Sequence, residues 1–220
     1  MIRNIDMNEV SDGRLYSSGD LVKCGCSDCT GCTDCCCYGM RDTIILDPYD
    51  IYMLEKGLNT TFTKLLSDEV IKLNVVDGVL LPNLKMQKDT NGCIFLNEDD
   101  RCSIHDYRPG ICRLFPLGRI YNDTGFDYFL QVNECPHPNK TKVKIKKWLS
   151  IPNLPKYEEF IFTWHSLLKE FGTQIEKADV NCASKLTVDF LKLYYETPYD
   201  TGRDFYEQFY DRLNAVLCTN

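Results

Sequence analysis

Between Cys24 and Cys37 the chain reads CGCSDCTGCTDCCC, which places seven of its thirteen cysteines within fourteen residues. Core packing does not ask for that density. A buried thiol behaves as a small hydrophobe, whereas thiols interleaved with Gly25, Gly31 and the turn-prone Asp28, Thr30, Thr33 and Asp34 describe a loop wrapped around a metal centre, iron-sulfur or zinc. Cys26, Cys29, Cys32 and Cys36 have the spacing C-x2-C-x2-C-x3-C, the run that supplies thiolates to clusters in small bacterial ferredoxins, although Cys37 stands where proline usually follows. In the other register Cys29, Cys32, Cys35 and Cys36 form C-x2-C-x2-C-C. Side chains of adjacent residues diverge, so Cys35 and Cys36 are expected to serve different centres.

Further ligands are available downstream. Cys93, Cys102, Cys112 and Cys135 each lie near turn or proline residues. With Cys29, Cys32, Cys35 and Cys36 they make eight thiolates, enough for two four-ligand sites, and Cys26 is then a ninth ligand or a neighbour. Cys24 and Cys37 are secondary candidates. Cys182 and Cys218, on or near expected helices without partners, read as buried structural thiols. His105 and His165 read as packing residues, and His137, in CPHP, could complete a site of three thiolates and one imidazole.

Composition narrows the setting. With 220 residues and 44% apolar content the chain can build one globular core with an appended helical piece. A net charge of −7 argues against nucleic acid as a partner, because the one basic run, Lys140 to Lys147, is short and reads as a solvated strand or helix face. The start, MIRNIDMNEV, lacks the apolar region of a secretory signal, and no apolar run is long enough for a membrane span. A cytoplasmic location is therefore expected, where thiols serve as ligands or redox groups and not as a disulfide framework. The spacings of radical S-adenosylmethionine enzymes (C-x3-C-x2-C), covalent haem attachment, the P-loop and dinucleotide-binding turns are absent.

The expected fold class is α+β: a small irregular cysteine-rich metal-binding core with short hairpins and helices over residues 1–150, and a helical segment over 151–220 packed on it. Arg41 to Leu46 has strand composition. Asp47 followed by Pro48 predicts a helix to Lys56, ending at Gly57. A second helix is expected from Thr61, with Phe62, Leu65, Leu66, Val70 and Leu73 on its inner face. Asp77-Gly78 predicts a hairpin across Asn74 to Leu81, and two more hairpins are expected at Cys93 to Ile104 and at Leu117 to Val132. These sheets are expected to clamp the metal region. Helical spacing over Tyr157 to Phe171, Ala178 to Glu196 and Gly202 to Leu217 is interrupted by Gly172, Pro198 and Gly202. Phe160, Trp164, Phe190, Tyr194, Phe205 and Phe209 read as core.

The C-x2-C-x2-C-C run from Cys29 to Cys36, the segment beginning at Cys93 (CIFL), the segment Arg101 to Ile104 (RCSI) and the block Tyr107 to Pro116 (YRPGICRLFP) together resemble the YkgJ-like cysteine-cluster family, zinc- or iron-chelating proteins. The resemblance covers about Cys24 to Cys135. It implies Cys29, Cys32, Cys35, Cys36, Cys93, Cys102 and Cys112 as ligands, with Cys135 beside them. His105 stands where the family more often has an aromatic residue, and Cys37 where a basic or small one is common. Within this motif Arg108 and Arg113 are candidates to bind the cofactor, since guanidinium groups donating to thiolates or nearby carboxylates would stabilise a negatively charged cluster. Pro109 at a helix start would turn Cys112 back toward the same site.

The first expectation is an iron-sulfur protein, with one or two clusters of the 4Fe-4S type, acting in electron transfer or a redox-supporting role with a redox or protein partner. The alternative is a zinc-binding structural or interaction module. Flagellin lysine methylases carry a similar cysteine cluster, so the resemblance also admits a protein-modifying enzyme, although no glycine-rich methyl-donor loop is evident.

Overall fold

A computed structural model describes residues 6–26, 37–132, 134–135 and 140–217. A short helix α1 (Met7–Val10) and strand β1 (Leu21–Gly25) lead into the cysteine-rich stretch. Helix α2 (Pro48–Leu58) begins where the sequence predicts, with Asp47 and Asp50 forming a reciprocal capping box and Pro48 in the first turn, and it closes on Asn59 in the left-handed region.

The second expected helix is shorter than its apolar spacing suggests. Helix α3 covers only Phe62–Ser67, and Glu69 at φ 57° breaks it. Val70 and Leu73 therefore do not extend a helical face. The β-branched run from Ile71 instead forms β2 (Ile71–Val76), paired in antiparallel register with β3 (Val79–Leu84). Asp77 and Gly78, both at positive φ, make the tight turn between them.

Arg41 to Leu46 is not a separate strand. It contributes a bridge from Ile45 to Asn83, with the Leu46 and Leu84 amides donating to the Pro82 and Ile44 carbonyls. The expected hairpin at Cys93 to Ile104 is likewise reduced to a bridge between Leu96 and Cys102 around a turn organised by Asn97, whose side-chain oxygen accepts from the Asp99 and Arg101 amides. A 3-10 turn (His105–Tyr107) and helix α4 (Gly110–Leu114) follow. The hairpin β4 (Leu117–Asn122) and β5 (Gly125–Leu130) has the expected position. The basic run divides between β6 (Thr141–Lys144), which pairs with β1, and helix α5 (Ile145–Leu149).

Helix α6 (Leu154–Lys177) runs straight through Gly172, so that glycine is not a break. It is a close approach: a Cβ there would lie 3.1 Å from the Asp77 carbonyl oxygen, at the tip of the β2–β3 hairpin. Helix α7 (Val180–Leu191) continues into a π-helical turn (Lys192–Glu196), and α8 (Phe205–Leu217) completes the described chain.

The hairpins do not simply clamp a metal region. Strand β3 packs on α6 and α7, and β5 packs on α6. One buried apolar cluster runs from Val22 through Leu46, Leu54 and Phe62 to Tyr157, Phe160, Tyr195 and Phe209. Phe160, Trp164, Phe190, Tyr194, Phe205 and Phe209 are all buried in it. The Tyr195 hydroxyl, within this core, donates to the Leu46 carbonyl at 3.0 Å.

Candidate metal centre

Three backbone devices gather the described cysteines. The Cys93 amide donates to the Cys37 carbonyl at 2.7 Å, fastening the end of the cysteine-rich stretch to the Cys93 segment. Alongside it, Tyr38 bridges to Gly92 and its hydroxyl donates to Asp100 at 2.6 Å. The Leu96–Cys102 bridge then returns the chain so that Cys102 lies beside Cys93, and α4 brings Cys112 and Arg113 to the same place.

The result is a cavity of about 600 Å³ whose wall carries Cys26, Cys37, Cys93, Cys102 and Cys112 together with Arg108 and Arg113. Helix α5 closes one side with Trp148, whose indole N–H donates to the Phe115 carbonyl at 3.1 Å. Five thiols thus stand around one space. Among the described residues no three Cys, His, Asp or Glu side chains gather on a single point close enough to hold one ion.

The charged groups on this wall are held by the chain itself. Arg113 donates through Nε to the Arg108 carbonyl at 3.2 Å and through its terminal nitrogen to the Asp106 carbonyl. Burial, and then the positive charge of Arg108, press the Arg113 pKa below its ordinary value. Burial and both arginines do the same to His105. Arg108 Nε is buried without a hydrogen-bond partner. An orphaned guanidinium N–H in a wall of thiols fits an anionic group, such as a thiolate-ligated centre, that would accept from it.

Of the residues expected at the site, Cys26, Cys93, Cys102, Cys112, Arg108 and Arg113 share this wall. Cys135 is not among its lining. It sits close enough to Cys24 that, after burial and the nearby Cys26, it helps push the Cys24 thiol up to about 12. Cys29, Cys32, Cys35, Cys36, Cys218 and His137 lie outside the described residues. Cys37, a secondary candidate in the sequence, is on the wall. His105 corrects its reading as a packing residue: it is exposed and borders the cavity. Its place three residues after Cys102 and three before Arg108 is the signal that could have found it. His165 does pack, stacked on Tyr121 with ring centroids 3.7 Å apart. Cys182 is exposed, not buried, because Asp179 caps α7 and turns its first residues outward.

The family model CxxCxxCC, described as "Putative zinc- or iron-chelating domain", matches residues 28–136. Residues 28–136, just under half of the chain, are thus similar to this family. Its matched segment contains Cys93, Cys102, Cys112, Arg108 and Arg113, and so supplies most of the cavity wall, while Cys26 and Trp148 come from outside it. No curated protein and no solved structure matches the chain. A metal is the cofactor that the chelating domain takes, zinc or iron. Among the described residues no helix is long and apolar enough to cross a membrane.

Proposed function

We propose that this protein is an iron-sulfur electron carrier of a reducing compartment, with Cys29, Cys32, Cys35, Cys36, Cys93, Cys102, Cys112 and Cys135 as ligands and Cys26 as a further ligand or close neighbour. The observation that carries the reading is the convergence of Cys26, Cys93, Cys102 and Cys112 with two arginines on one cavity. Zinc asks for four donors about 2.3 Å from a single point. Thiols reaching one cavity of about 600 Å³ from separate segments of the chain leave room for a multinuclear cluster.

A cluster held there would supply one-electron redox chemistry of the 4Fe-4S type. The work of the chain is to bind and tune it. The cysteines provide thiolates from separate segments, and Arg108, with its unpartnered Nε, offsets their negative charge. Donation to sulfur raises a reduction potential, so loss of that guanidinium is expected to lower it.

Anaerobic purification with absorption spectroscopy and analysis for iron, zinc and acid-labile sulfide tests the proposal. A brown protein with matching iron and sulfide is the expected result. A colourless protein carrying zinc and no sulfide overturns it in favour of the structural zinc module. Cys102→Ser and Cys112→Ser should each lose metal, and full retention in both would remove the downstream cysteines from the ligand set.

A further inference from the structure

Strands β1 and β6 form a two-stranded ribbon with unlike faces. Val22 and Cys24 turn inward, each 1% exposed, and Val143 lies opposite Val22. Alternation sends Leu21, Lys23, Lys142 and Lys144 outward, with Lys23 directly across from Lys142 and Leu21 across from Lys144. Helix α5 follows without a break, burying Ile145 and Leu149 and exposing Lys146 and Lys147. Like charges directly opposite one another destabilise a strand pair. Among the described residues these five lysines make no ion pair, whereas Lys64, Lys72, Lys85 and Lys156 each pair with a carboxylate. Asp20, just before β1, is committed to its own turn, accepting from the Ser17 amide at 2.7 Å and the Ser17 hydroxyl at 2.8 Å. The basic face borders the cysteine-lined cavity at two points. Cys26 follows Lys23 by three residues, within about 11 Å along the backbone, and Trp148 follows Lys147; both line that cavity.

We propose that the β1–β6 ribbon and α5 together dock the acidic face of a small electron-transfer protein. The inference rests on the electron-carrier reading given above. An acidic partner relieves the Lys23–Lys142 repulsion and is oriented beside the cavity by complementary charge, which speeds encounter more than it adds affinity. Lysine offers flexible point charges where arginine offers fixed forks. Leu21, 55% exposed among the lysines, adds a small apolar contact. Such a face suits a partner that arrives, exchanges an electron and leaves. A nucleic acid or an anionic membrane would extend beyond the ribbon over a chain whose net charge is −7. In the docked pair the reduced partner gives up one electron and is oxidised, the bound centre is reduced by it, and no bond forms or breaks.

Calorimetry and stopped-flow absorption on the whole, anaerobically purified protein test this. The probe is an acidic plant-type ferredoxin, reduced with dithionite for the kinetic arm, and a basic cytochrome c is the control of opposite sign. The ferredoxin should bind at least tenfold more tightly than the cytochrome, and its affinity should fall at least tenfold between about 20 and about 300 mM NaCl. Lys23→Glu with Lys144→Glu sets acids opposite and diagonal to Lys142, which favours the folded ribbon. That variant should weaken binding and slow electron transfer at least tenfold with the absorption of the bound centre unchanged. Lys177→Glu with Lys185→Glu makes the same change of charge on α6 and α7 and should leave both within about twofold. Equal losses in the two variants, or no binding of the ferredoxin, overturn the proposal. Tighter binding of a DNA oligonucleotide or of phosphatidylserine vesicles than of the ferredoxin overturns it as well. Ferredoxin binding by a protein that carries zinc would keep the docking surface and remove the electron-carrier reading, so the two fail separately.

Discussion

Asp50 shows how one side chain can tie helix, loop and site together. It is 3% exposed, accepts from the Asp47 amide at 3.2 Å to complete the cap of α2, and accepts from the Gly110 amide at 2.7 Å to fix the start of α4. Burial raises its pKa and the neighbouring Asp47 raises it further, so the fold holds this carboxyl against its preference for solvent. Gly110 is equally constrained, since a Cβ there would overlap the buried Tyr157 hydroxyl. Tyr157 is 0% exposed and has nowhere to move. Gly110→Ala should therefore cost about 1–3 kcal/mol through overpacking, despite a helix-propensity gain of about 1 kcal/mol. Because α4 carries Cys112 and Arg113, the same variant should retain less metal. Gly125→Ala, where a Cβ meets nothing, is the control and should leave the melting temperature nearly unchanged. Equal melting temperatures for both variants would show that Gly110 is not held as described.

Among the elements, α6 packs on α7, α8, β3 and β5. Phe160 on this helix is 0% exposed and meets Phe205 and Phe209 of α8 edge-on, with centroids 5.3 Å and 4.8 Å apart, and Tyr49 of α2 at 6.4 Å. Edge-on rings place positive edges against negative faces, which adds to the apolar burial. Phe160→Ala should lower stability by about 3–5 kcal/mol in denaturant titration. A loss below about 1 kcal/mol would mean that α2, α6 and α8 do not share this centre. The β2–β3 hairpin depends on the same helix in another way, because Gly172 lets its tip approach the α6 backbone. A glycine in a helical run reads as a break when only the run is considered. The approaching hairpin gives it a different meaning.

At the scale of the molecule, we propose that residues 1–150 form the metal-binding part and that 151–220 pack on it as a helical segment without folding apart. The ring contacts of Tyr49 with Tyr157, Phe205 and Tyr206, and of Phe62 with Tyr195, cross that boundary. Unfolding of the metal-loaded protein is therefore expected as one transition seen identically by circular dichroism and tryptophan fluorescence, since Trp148 and Trp164 lie on either side of the boundary. Two separated transitions would sink the proposal. Removal of metal should lower the midpoint, because the cavity wall is assembled from β1, the Cys93 to Cys102 turn, α4 and α5, and a bound group rewards only the assembled state.

The local chemistry of this protein was legible in its sequence. Asp47-Pro48 starts a helix, Asp77-Gly78 turns a hairpin, and the cysteine spacing with the Tyr107 to Pro116 block marks a chelating domain, because each depends on residues close together in the chain. What depended on distant partners was not. The end of α3 at Ser67 follows from the pairing of Ile71 with Leu84, and the uninterrupted α6 from the hairpin at Gly172. The positions of His105 and Cys37 on the cysteine-lined wall follow from bridges to Gly92 and Leu96. Spacing along the chain decided which residues could act together. Only the tertiary packing decided that α4 would turn Cys112 to one cavity and Leu114 to another, since a helix shows different faces to different neighbours.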